Sequence, residues 1–330
     1  SNRSKCYLYN IKDKSILLLS NGDKISNVTF SPDGNKIAYN KNNDIYIHDI
    51  RSKEELRATV NGKRNAIING SSDWVYEEEF ELVKAFAWSP DSKFIAYLSF
   101  DESQVKEYTM QLWGESYPVN YNYKYPKAGE KNSFVSCYIY DTEKNKTEIL
   151  FDGNNKDIYI PRLGWVSQNV VYIQKLNRMQ DSLEVHHIEI GTTQDKIIKY
   201  FTATTYVEIN DDLTYLKSGK GFITTSEETG YRHIYLYDLN GKVVVTVTSG
   251  NWEVVKILGI DEQNQKIYYA SKEHSVLEEH VYVVDFRGTN KRKLTEMEGV
   301  NRVAFGPGFY YYVCSNSSYN KGLNTNLFKI

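Results

Sequence analysis

Apolar and polar positions alternate along most of the chain in short runs, and these runs recur as pairs joined by a tight turn. The first pair is Val28–Tyr39, which reads as a strand, a Ser-Pro-Asp-Gly turn and a second strand, and Ala85–Tyr97 repeats the phrase. Asp44–Asp49 follows as a further alternating run. Strict alternation is typical of strands with one buried face, and Pro-Asp-Gly is a tight-turn signal. The pattern therefore predicts consecutive antiparallel strands.

Weaker copies of this unit follow along the chain, at Leu163–Ile173, Gly221–Asp238, Lys266–Asp285 and Val303–Val313. Away from insertions the units recur about every 40–50 residues, which is the spacing of four-stranded propeller blades. Long amphipathic helices are absent, and a β-sandwich would not produce this period. We predict an all-β fold, a β-propeller of four-stranded blades, with five complete blades and a part-blade at each end. Residues 1–330 would form one incomplete domain that begins and ends inside a larger ring.

One segment, at about residues 70–84, lies between the first two full blades and breaks the strand rhythm. It contains Asp73-Trp74-Val75-Tyr76-Glu77-Glu78-Glu79, in which Asp73 and the acidic residues after it indicate the start of a short helix. Acidic residues also suit the first turn of a helix, so spacing alone favours a solvated acidic helix start. The functional alternative is a pair of carboxylates that hold one ammonium group from different sides. Such a site would select a peptide with a free amino terminus.

Composition supports the β interpretation and narrows the partners. Aromatic residues make up 14% of the 330 residues and include 28 tyrosines, which favours strands. The formal net charge of -2 gives no reason to expect nucleic acid or an anionic membrane as a partner. No apolar run approaches the roughly 18 residues that span a bilayer, and no signal peptide is visible. The three cysteines, Cys6, Cys137 and Cys314, are expected to be small buried or edge residues, because their spacing fits neither a disulfide framework nor a zinc site.

The chain shows no sequence signature for a metal, a cofactor or a nucleophile. None of the six histidines has a partner at the i, i+4 spacing of a helical zinc pair, so we expect packed or surface histidines, no metal and no cofactor. Neighbouring His186 and His187 would face opposite sides of a strand. No G-x-S-x-G elbow occurs, and no alternation of strands and helices follows.

The acidic segment resembles the signature insertion of the dipeptidyl peptidase IV family. Further stretches agree with that family in the same order: Asn43–Tyr46, Tyr125–Gly129, Leu176–Gln180, Gly230–Ile234 and Trp252–Val254. The resemblance spans most of the chain. The acidic insertion is highly specific, whereas the Ser-Pro-Asp-Gly phrases are generic to propellers.

The resemblance implies roles for the insertion. In that family the last two glutamates of the triplet grip the amino terminus of the substrate, and these correspond to Glu78 and Glu79. The supporting residues of the insertion would be Asp73, Trp74, Tyr76 and Glu77. The family also contacts the substrate backbone with a propeller arginine. The stretch expected to carry it, Leu19–Asp23, holds no arginine, so Asn21 or an arginine from elsewhere would have to take its place.

The resemblance also implies an activity for the whole protein. The family releases X-Pro or X-Ala dipeptides from peptide N-termini with a serine, aspartate and histidine on an α/β-hydrolase domain, which we expect to be absent from this chain. The chain alone would then be an inactive part of an eight-bladed propeller, with that hydrolase domain, a peptide substrate and, in a homodimer, a second copy as partners. The periplasm or the cell surface would be its location. The alternative is a non-catalytic propeller that acts as a peptide-binding or scaffold module.

Overall fold

A computed structural model of the chain describes residues 3–192 and 194–330, and nearly all regular structure in these residues is antiparallel β-sheet. The chain divides between Ile209 and Asn210 into two compact units. No helix in the described ranges is long and apolar enough to cross a membrane.

The strands of the first unit follow one another along the chain with a single short α-helix among the described residues, α1 (Trp74–Glu79). They are β1 (Tyr7–Tyr9), β2 (Ile16–Leu18), β3 (Ser26–Phe30), β4 (Lys36–Lys41), β5 (Asp44–Asp49), β6 (Glu55–Arg57), β7 (Ile67–Asn69), β8 (Phe86–Trp88), β9 (Phe94–Asp101), β10 (Glu107–Leu112), β11 (Val119–Lys124), β12 (Phe134–Asp141), β13 (Lys146–Phe151), β14 (Ile158–Trp165), β15 (Val170–Asn177), β16 (Ser182–Glu189) and β17 (Asp195–Thr202).

The second unit consists of strands and one 3₁₀ turn, Pro307–Phe309. Its strands are β18 (Thr214–Tyr215), β19 (Phe222–Ser226), β20 (His233–Tyr237), β21 (Val243–Thr246), β22 (Val254–Asp261), β23 (Lys266–Ser271), β24 (His280–Asp285), β25 (Arg292–Lys293), β26 (Val300–Phe305), β27 (Tyr311–Ser318) and β28 (Lys321–Lys329).

The sheets are the four-stranded blades that the sequence predicts. Strands β3–β6, β14–β17, β18–β21 and β22–β25 each form a sheet in which every strand pairs with its neighbour in sequence. A fifth sheet contains β7, β8, β9, β12 and β13, and the β1–β2 and β26–β28 sheets stand at the two ends of the chain. The prediction of a β-propeller with five complete blades and a part-blade at each end is confirmed. One strand boundary was wrong, since Phe309 lies in the 3₁₀ turn and β27 begins at Tyr311.

The repeated Ser-Pro-Asp phrase makes the same turn in both places. The Ser31 carbonyl accepts from the Gly34 amide at 2.9 Å while the Ser31 hydroxyl donates to Asp33 at 2.6 Å, and Gly34 has a φ of +71°. In the second copy Ser92 takes the glycine's place with a φ of 65°. The left-handed conformation is thus required by the turn even where the residue is not glycine.

Apolar side chains from neighbouring sheets pack together inside each unit. In the first unit the alternating residues of β4 and β5 meet those of β8 and β9 in a buried cluster that includes Ala38, Ile45, Phe86 and Ile95. The three cysteines are free, and Cys137 and Cys314 are buried as predicted. Burial raises the pKa of the Cys137 thiol to about 12, so it packs as a small apolar side chain.

The acidic insertion interrupts a strand of the fifth sheet. Both β7 and β8 pair with β9 on the same edge, β7 through Asn69 opposite Ser99 and β8 through Phe86 opposite Tyr97. Between them the Ala85 amide donates to the Gly70 carbonyl at 3.0 Å, which closes the neck of the insertion. The predicted limits of 70–84 are therefore close to the observed ones. The insertion lies inside the first strand of the second full blade, however, rather than between two blades as the sequence suggested.

A second excursion leaves the same sheet between β9 and β12. Strands β10 and β11 form a two-stranded hairpin that pairs with no other strand of the described chain. One face of the hairpin carries only apolar and aromatic side chains: Tyr108, Met110, Leu112, Val119, Tyr121 and Tyr123. Most of these side chains are exposed. The sequence analysis did not predict this hairpin.

Candidate functional site

The N-terminal end of α1 is fixed by Asp73, which caps the helix as predicted. Its carboxylate accepts from the Tyr76 amide at 3.0 Å and from the Ser133 hydroxyl at 2.5 Å, and only 6% of the residue is exposed. Burial raises the pKa of Asp73, and these two hydrogen bonds oppose the shift. Asp73 is therefore an anchor of the insertion rather than a group that meets a ligand.

The Tyr76 side chain fixes the inner face of the helix. The residue is 1% exposed, and its ring packs edge-on against Phe100 and Phe80 at centroid distances of 4.7 and 5.1 Å. Its hydroxyl accepts from the Ile160 amide at 2.9 Å, which ties α1 to β14. Burial also raises the pKa of Tyr76 well above its ordinary value, so the phenol stays neutral. The predicted packing role of Tyr76 fits these contacts.

The C-terminal end of the helix is held by backbone and arginine donors. The Tyr76 carbonyl accepts from the amides of Phe80 and Leu82 at 3.3 and 3.0 Å. The Arg162 guanidinium donates to the Phe80 carbonyl at 2.8 Å. Two carbonyl groups at the end of this short helix, those of Tyr76 and Phe80, thus have partners. The helix is firmly placed at both ends despite its six residues.

Trp74 joins the insertion to a distant stretch of the chain. Its ring lies 4.3 Å from the ring of Tyr125, in the segment that follows the β10–β11 hairpin. Tyr125 begins one of the stretches that resemble the family, and Trp74 belongs to another. Their contact shows that two of these stretches, far apart in sequence, meet at the insertion.

The three glutamates after Tyr76 are all exposed, but they do not occupy equivalent positions. Glu77 lies in the first turn, where the helix dipole favours an acid. Glu78 and Glu79 are the last two residues of the helix, where the dipole is unfavourable to a negative charge. The interpretation as a solvated acidic helix start therefore fits Glu77 alone. Helix stability gives no reason for acids at the other two positions, and a bound cation would relieve both.

A cavity of about 660 Å³ lies beside the helix in the first unit. Its acidic lining residues are Asp73, Glu77 and Glu102, and Trp74 also reaches it. Glu78 and Glu79 do not line this cavity, although they follow Glu77 directly. Of the three exposed glutamates, Glu77 thus lines the cavity, whereas Glu78 and Glu79 lie outside its lining.

Cationic side chains also line the cavity, and one of them is Arg3. In the stretch Leu19–Asp23, Leu19 and Ser20 are buried, and Asn21 is exposed but does not line this cavity. Arg3 lies much further upstream, and only the fold brings it to the cavity that Glu77 lines. Nothing in the local sequence around Arg3 marks it, so sequence reasoning missed it.

Glu102 and Tyr206 are two further residues that sequence reasoning missed. Glu102 is 7% exposed, and its pKa is raised to about 7 by burial first and by the charge of Asp73 second, while Lys124 opposes the shift. Burial raises the pKa of the Tyr206 phenol, to which the charges of Glu208 and Glu79 add. The charge of Glu79 therefore acts on the Tyr206 phenol.

Comparison with known proteins identifies the family to which this chain belongs. The profile of the dipeptidyl peptidase IV (DPP IV) N-terminal region matches residues 1–321. The chain belongs to the dipeptidyl peptidase IV family. It is 31% identical over 310 residues to dipeptidyl aminopeptidase B of Saccharomyces cerevisiae, and 30% identical over 300 residues to dipeptidyl peptidase 4 of Trichophyton rubrum. The family resemblance inferred from the sequence is confirmed.

Solved structures of the dipeptidyl peptidase IV family agree with the fold. Dipeptidyl peptidase 4 of Porphyromonas gingivalis superposes with a TM-score of 0.92 at 34% identity and covers 99% of this chain. A putative dipeptidyl aminopeptidase IV from Bacteroides ovatus, at 21% identity and a TM-score of 0.81, shares the fold. The matches to the Saccharomyces and Trichophyton proteins cover 87% and 85% of this chain. The chain spans only 38% of the length of each of these two relatives and 47% of the Porphyromonas protein.

Proposed function

We propose that this chain is the substrate-binding propeller domain of a dipeptidyl aminopeptidase, in which Glu78 and Glu79 hold the free amino terminus of the peptide. One observation carries the proposal. Helix α1 is anchored by buried groups at both ends, yet it presents exposed carboxylates at its C-terminal end, where the helix dipole does not favour them. A rigid frame with two unneutralised acids is suited to an ammonium ligand.

The chemistry of the amino terminus fits two carboxylates. An ammonium group has three N–H donors and no acceptor, and charge-assisted hydrogen bonds to carboxylates are the strong ones. Glu78 and Glu79 are neighbours on the helix and approach a single cation from different directions. An acylated amine would lose its charge and leave both carboxylates unpaired. The pair would therefore fix the peptide's first residue and set the distance to the bond that is cut.

Arg3 takes the part of the family's propeller arginine in this proposal. It lines the same cavity as Glu77, the residue directly before the proposed pair. A guanidinium has five N–H donors and suits the carbonyl oxygens of a peptide backbone. The lack of an arginine in Leu19–Asp23 is the main argument for a scaffold module without turnover, and a backbone contact from Arg3 would answer that argument.

Catalysis in this proposal belongs to the full-length protein. Serine, histidine and aspartate of an α/β-hydrolase domain would cleave X-Pro or X-Ala dipeptides from the peptide, as serine-type hydrolysis requires a nucleophile, a base and its orienting acid. The present chain would contribute binding and orientation alone, with no cofactor. Binding energy at the amino terminus would then be used to position the scissile bond.

Substitutions of the two glutamates test the proposal. In the full-length protein, Glu78→Gln and Glu79→Gln should each lower kcat/KM for X-Pro and X-Ala anilides by about 10–100-fold, the value of one charge-assisted hydrogen bond. Glu81→Gln removes a nearby exposed acid outside the helix and should leave kcat/KM within about twofold of wild type. Arg3→Ala should raise KM as well.

The outcomes separate the candidate functions. Near-normal kcat/KM in both glutamine variants would overturn the assignment of the amino-terminal site. Peptide affinity without turnover in the wild-type full-length protein would favour the scaffold module instead.

We also infer that a second copy of the protein covers the apolar face of the β10–β11 hairpin. A two-stranded hairpin is marginally stable alone in water, and the apolar side chains of Met110, Leu112 and Val119 on one face of this hairpin are exposed. On the same face, Arg64 donates to the Asn122 carbonyl at 3.1 Å and lies over the Tyr121 ring at 4.9 Å, so this part of the hairpin already has a contact within the chain. A homodimer with a twofold axis would bury the same face of both copies.

The proposed location is the periplasm or the cell surface, where extracellular peptides with free amino termini are available. Fractionation of the native host cells would check this location. Recovery of the full-length protein with cytoplasmic markers alone would contradict it.

A further inference from the structure

The second unit brings two histidines and a glutamate together at the start of β24. One ligand atom each from His274, Glu278 and His280 lies within 4.8 Å of the other two. We propose that these three side chains bind a divalent transition-metal ion, Zn²⁺ before others. Two imidazoles and one carboxylate are a donor set that Zn²⁺ takes with one further position left for water.

The distances between the ligand atoms are near those of a tetrahedral site. Bonds of about 2.1 Å place tetrahedral ligand atoms about 3.4 Å apart. The Glu278 carboxylate oxygen lies 3.7 Å from His274 Nε2 and 2.8 Å from His280 Nε2. A shift of the carboxylate by a few tenths of an ångström would equalise the two. The His274 and His280 rings stand almost perpendicular, at 81°, and their centroids are 5.2 Å apart.

Local structure explains why the three side chains converge. The loop from β23 to β24 makes a turn in which the Ser275 carbonyl accepts from the Glu278 amide at 3.2 Å, and the Ser275 hydroxyl accepts from the Leu277 amide at 3.2 Å. The turn sets Glu278 beside His274. His280 is the first residue of β24 and is 1% exposed, so it forms the fixed wall of the site.

The buried histidine is oriented from behind, as metal-ligating histidines are. His280 Nδ1 lies 3.1 Å from the Thr295 carbonyl oxygen, which can only accept a hydrogen bond. The Asn301 amide nitrogen, 3.4 Å from Nδ1, is a donor that also lies within 3.0 Å of two backbone carbonyls. The Thr295 hydroxyl, 3.2 Å from Nδ1, accepts from the Val281 amide. A proton on Nδ1 satisfies the Thr295 carbonyl and leaves the Nε2 lone pair to face Glu278. Two acceptors 2.8 Å apart need a cation or a proton between them.

A proton shared between His280 and Glu278 is the competing explanation of their 2.8 Å contact, and this explanation does not involve His274. The metal site requires all three side chains, so His274 separates the two. His274 is also mostly exposed, with 56% of its side chain accessible, and its removal should not disturb the fold. Lys293, whose charge acts on Glu278 after those of His280 and His274, also lies 3.8 Å from Glu296.

Other histidines of the described chain show how the site differs from ordinary packing. His186 contacts two carboxylates, but through different ring nitrogens, with Asp195 at 2.6 Å and Glu184 at 2.8 Å. Its acids lie on opposite sides of the ring and do not converge. The sequence predicts no metal site here, because no two histidines lie at i, i+4. Here Glu278 occupies that position after His274, and the second histidine lies across the strand boundary.

Titration of the full-length protein with Zn²⁺ tests the proposal. After removal of any affinity tag and treatment with a chelator, calorimetry of the wild-type protein should show one Zn²⁺ bound per chain. This binding should be weaker in the variants below, and Mg²⁺ should give no heat from this site. His274→Ala and Glu278→Gln should each weaken Zn²⁺ binding by at least about tenfold, since even an outer partner of a metal ligand is worth about 10–100-fold. Co²⁺ should give a visible absorption band that the same variants abolish.

Leu277→Ala is the matched control, because Leu277 is exposed in the same turn and offers no ligand atom. This variant should keep wild-type Zn²⁺ affinity. Failure of the wild-type protein to bind Zn²⁺, or binding that His274→Ala and Glu278→Gln leave unchanged, would overturn the proposal. Circular dichroism of each variant ensures that a loss of binding is not a loss of fold.

Discussion

Buried polar side chains at the insertion hold the backbone, while the exposed acids beside them remain available to a ligand. Asp73 could be predicted from the sequence, because an N-cap is recognised from local spacing alone. Arg3 and Glu102 could not, since their positions at the cavity depend on contacts between residues far apart in the chain. Local rules thus predict the helix but not the charges that surround it.

Removal of the Asp73 carboxylate should loosen the helix. Asp73→Ala takes away the N-cap and leaves the buried Ser133 hydroxyl without its acceptor, so the free energy of unfolding should fall by about 2–3 kcal/mol. Asp73→Asn keeps an oxygen for the cap and should lose less. Urea unfolding followed by tryptophan fluorescence measures both. Equal losses in the two variants would contradict a capping role.

Glu102 should make stability depend on pH. Its folded pKa of about 7 lies above the ordinary value of 4.5 for a glutamate, so between these values the folded state binds more protons than the unfolded state. Stability from this group is complete below about pH 4.5 and is lost as the pH rises to about 7. The free energy of unfolding of Glu102→Gln should therefore exceed that of wild type by about 1–3 kcal/mol at pH 8 and should equal it at pH 4.5. A gain that does not change with pH would contradict the assignment.

Among the elements, the blade strands were predictable because their alternation and turns recur. The β10–β11 hairpin was not predicted, although its positions alternate, because it lacks the Ser-Pro-Asp phrase that marks the repeats. The split of one strand into β7 and β8 was also not predicted. A three-residue strand on either side of an insertion is too short for its period to be read.

The neck of the insertion should tolerate no side chain at Gly70. Gly70 has a φ of +73°, and an added Cβ would lie 2.5 Å from Ile45 Cγ1. Gly34 has a similar φ of +71° with nothing within 4 Å, so Gly34→Ala measures the backbone cost alone, about 1 kcal/mol. Gly70→Ala should cost more than Gly34→Ala by at least about 1 kcal/mol in urea unfolding. Equal costs would show that Ile45 moves aside freely.

At the scale of the whole molecule, the described sheets fall into two compact units, and the repeat period correctly predicted how many complete sheets there are. The period cannot predict which surfaces remain for partners. The apolar face of the hairpin lies outside the repeat, and the His274 cluster joins a loop inside one repeat unit to the first residue of β24, so the strand pattern marks neither of them.

The hairpin face should decide the oligomeric state. Met110→Ser with Leu112→Ser removes two apolar side chains from the proposed dimer face, so sedimentation of the full-length protein should shift from dimer to monomer. Thr109→Ser with Gln111→Ser changes the opposite, polar face and should leave the dimer intact. A dimer that survives the first pair of substitutions would contradict the assignment of this face.

The central claim is that Glu78 and Glu79 recognise the charged amino terminus, and a paired substrate comparison tests it most directly. The full-length wild-type protein and its Glu78→Gln and Glu79→Gln variants are assayed with an X-Pro anilide and with the same compound lacking its amino group. The account predicts that wild type prefers the amine by about 100-fold or more in kcat/KM and that each variant loses most of this preference. An unchanged preference in both variants would contradict it.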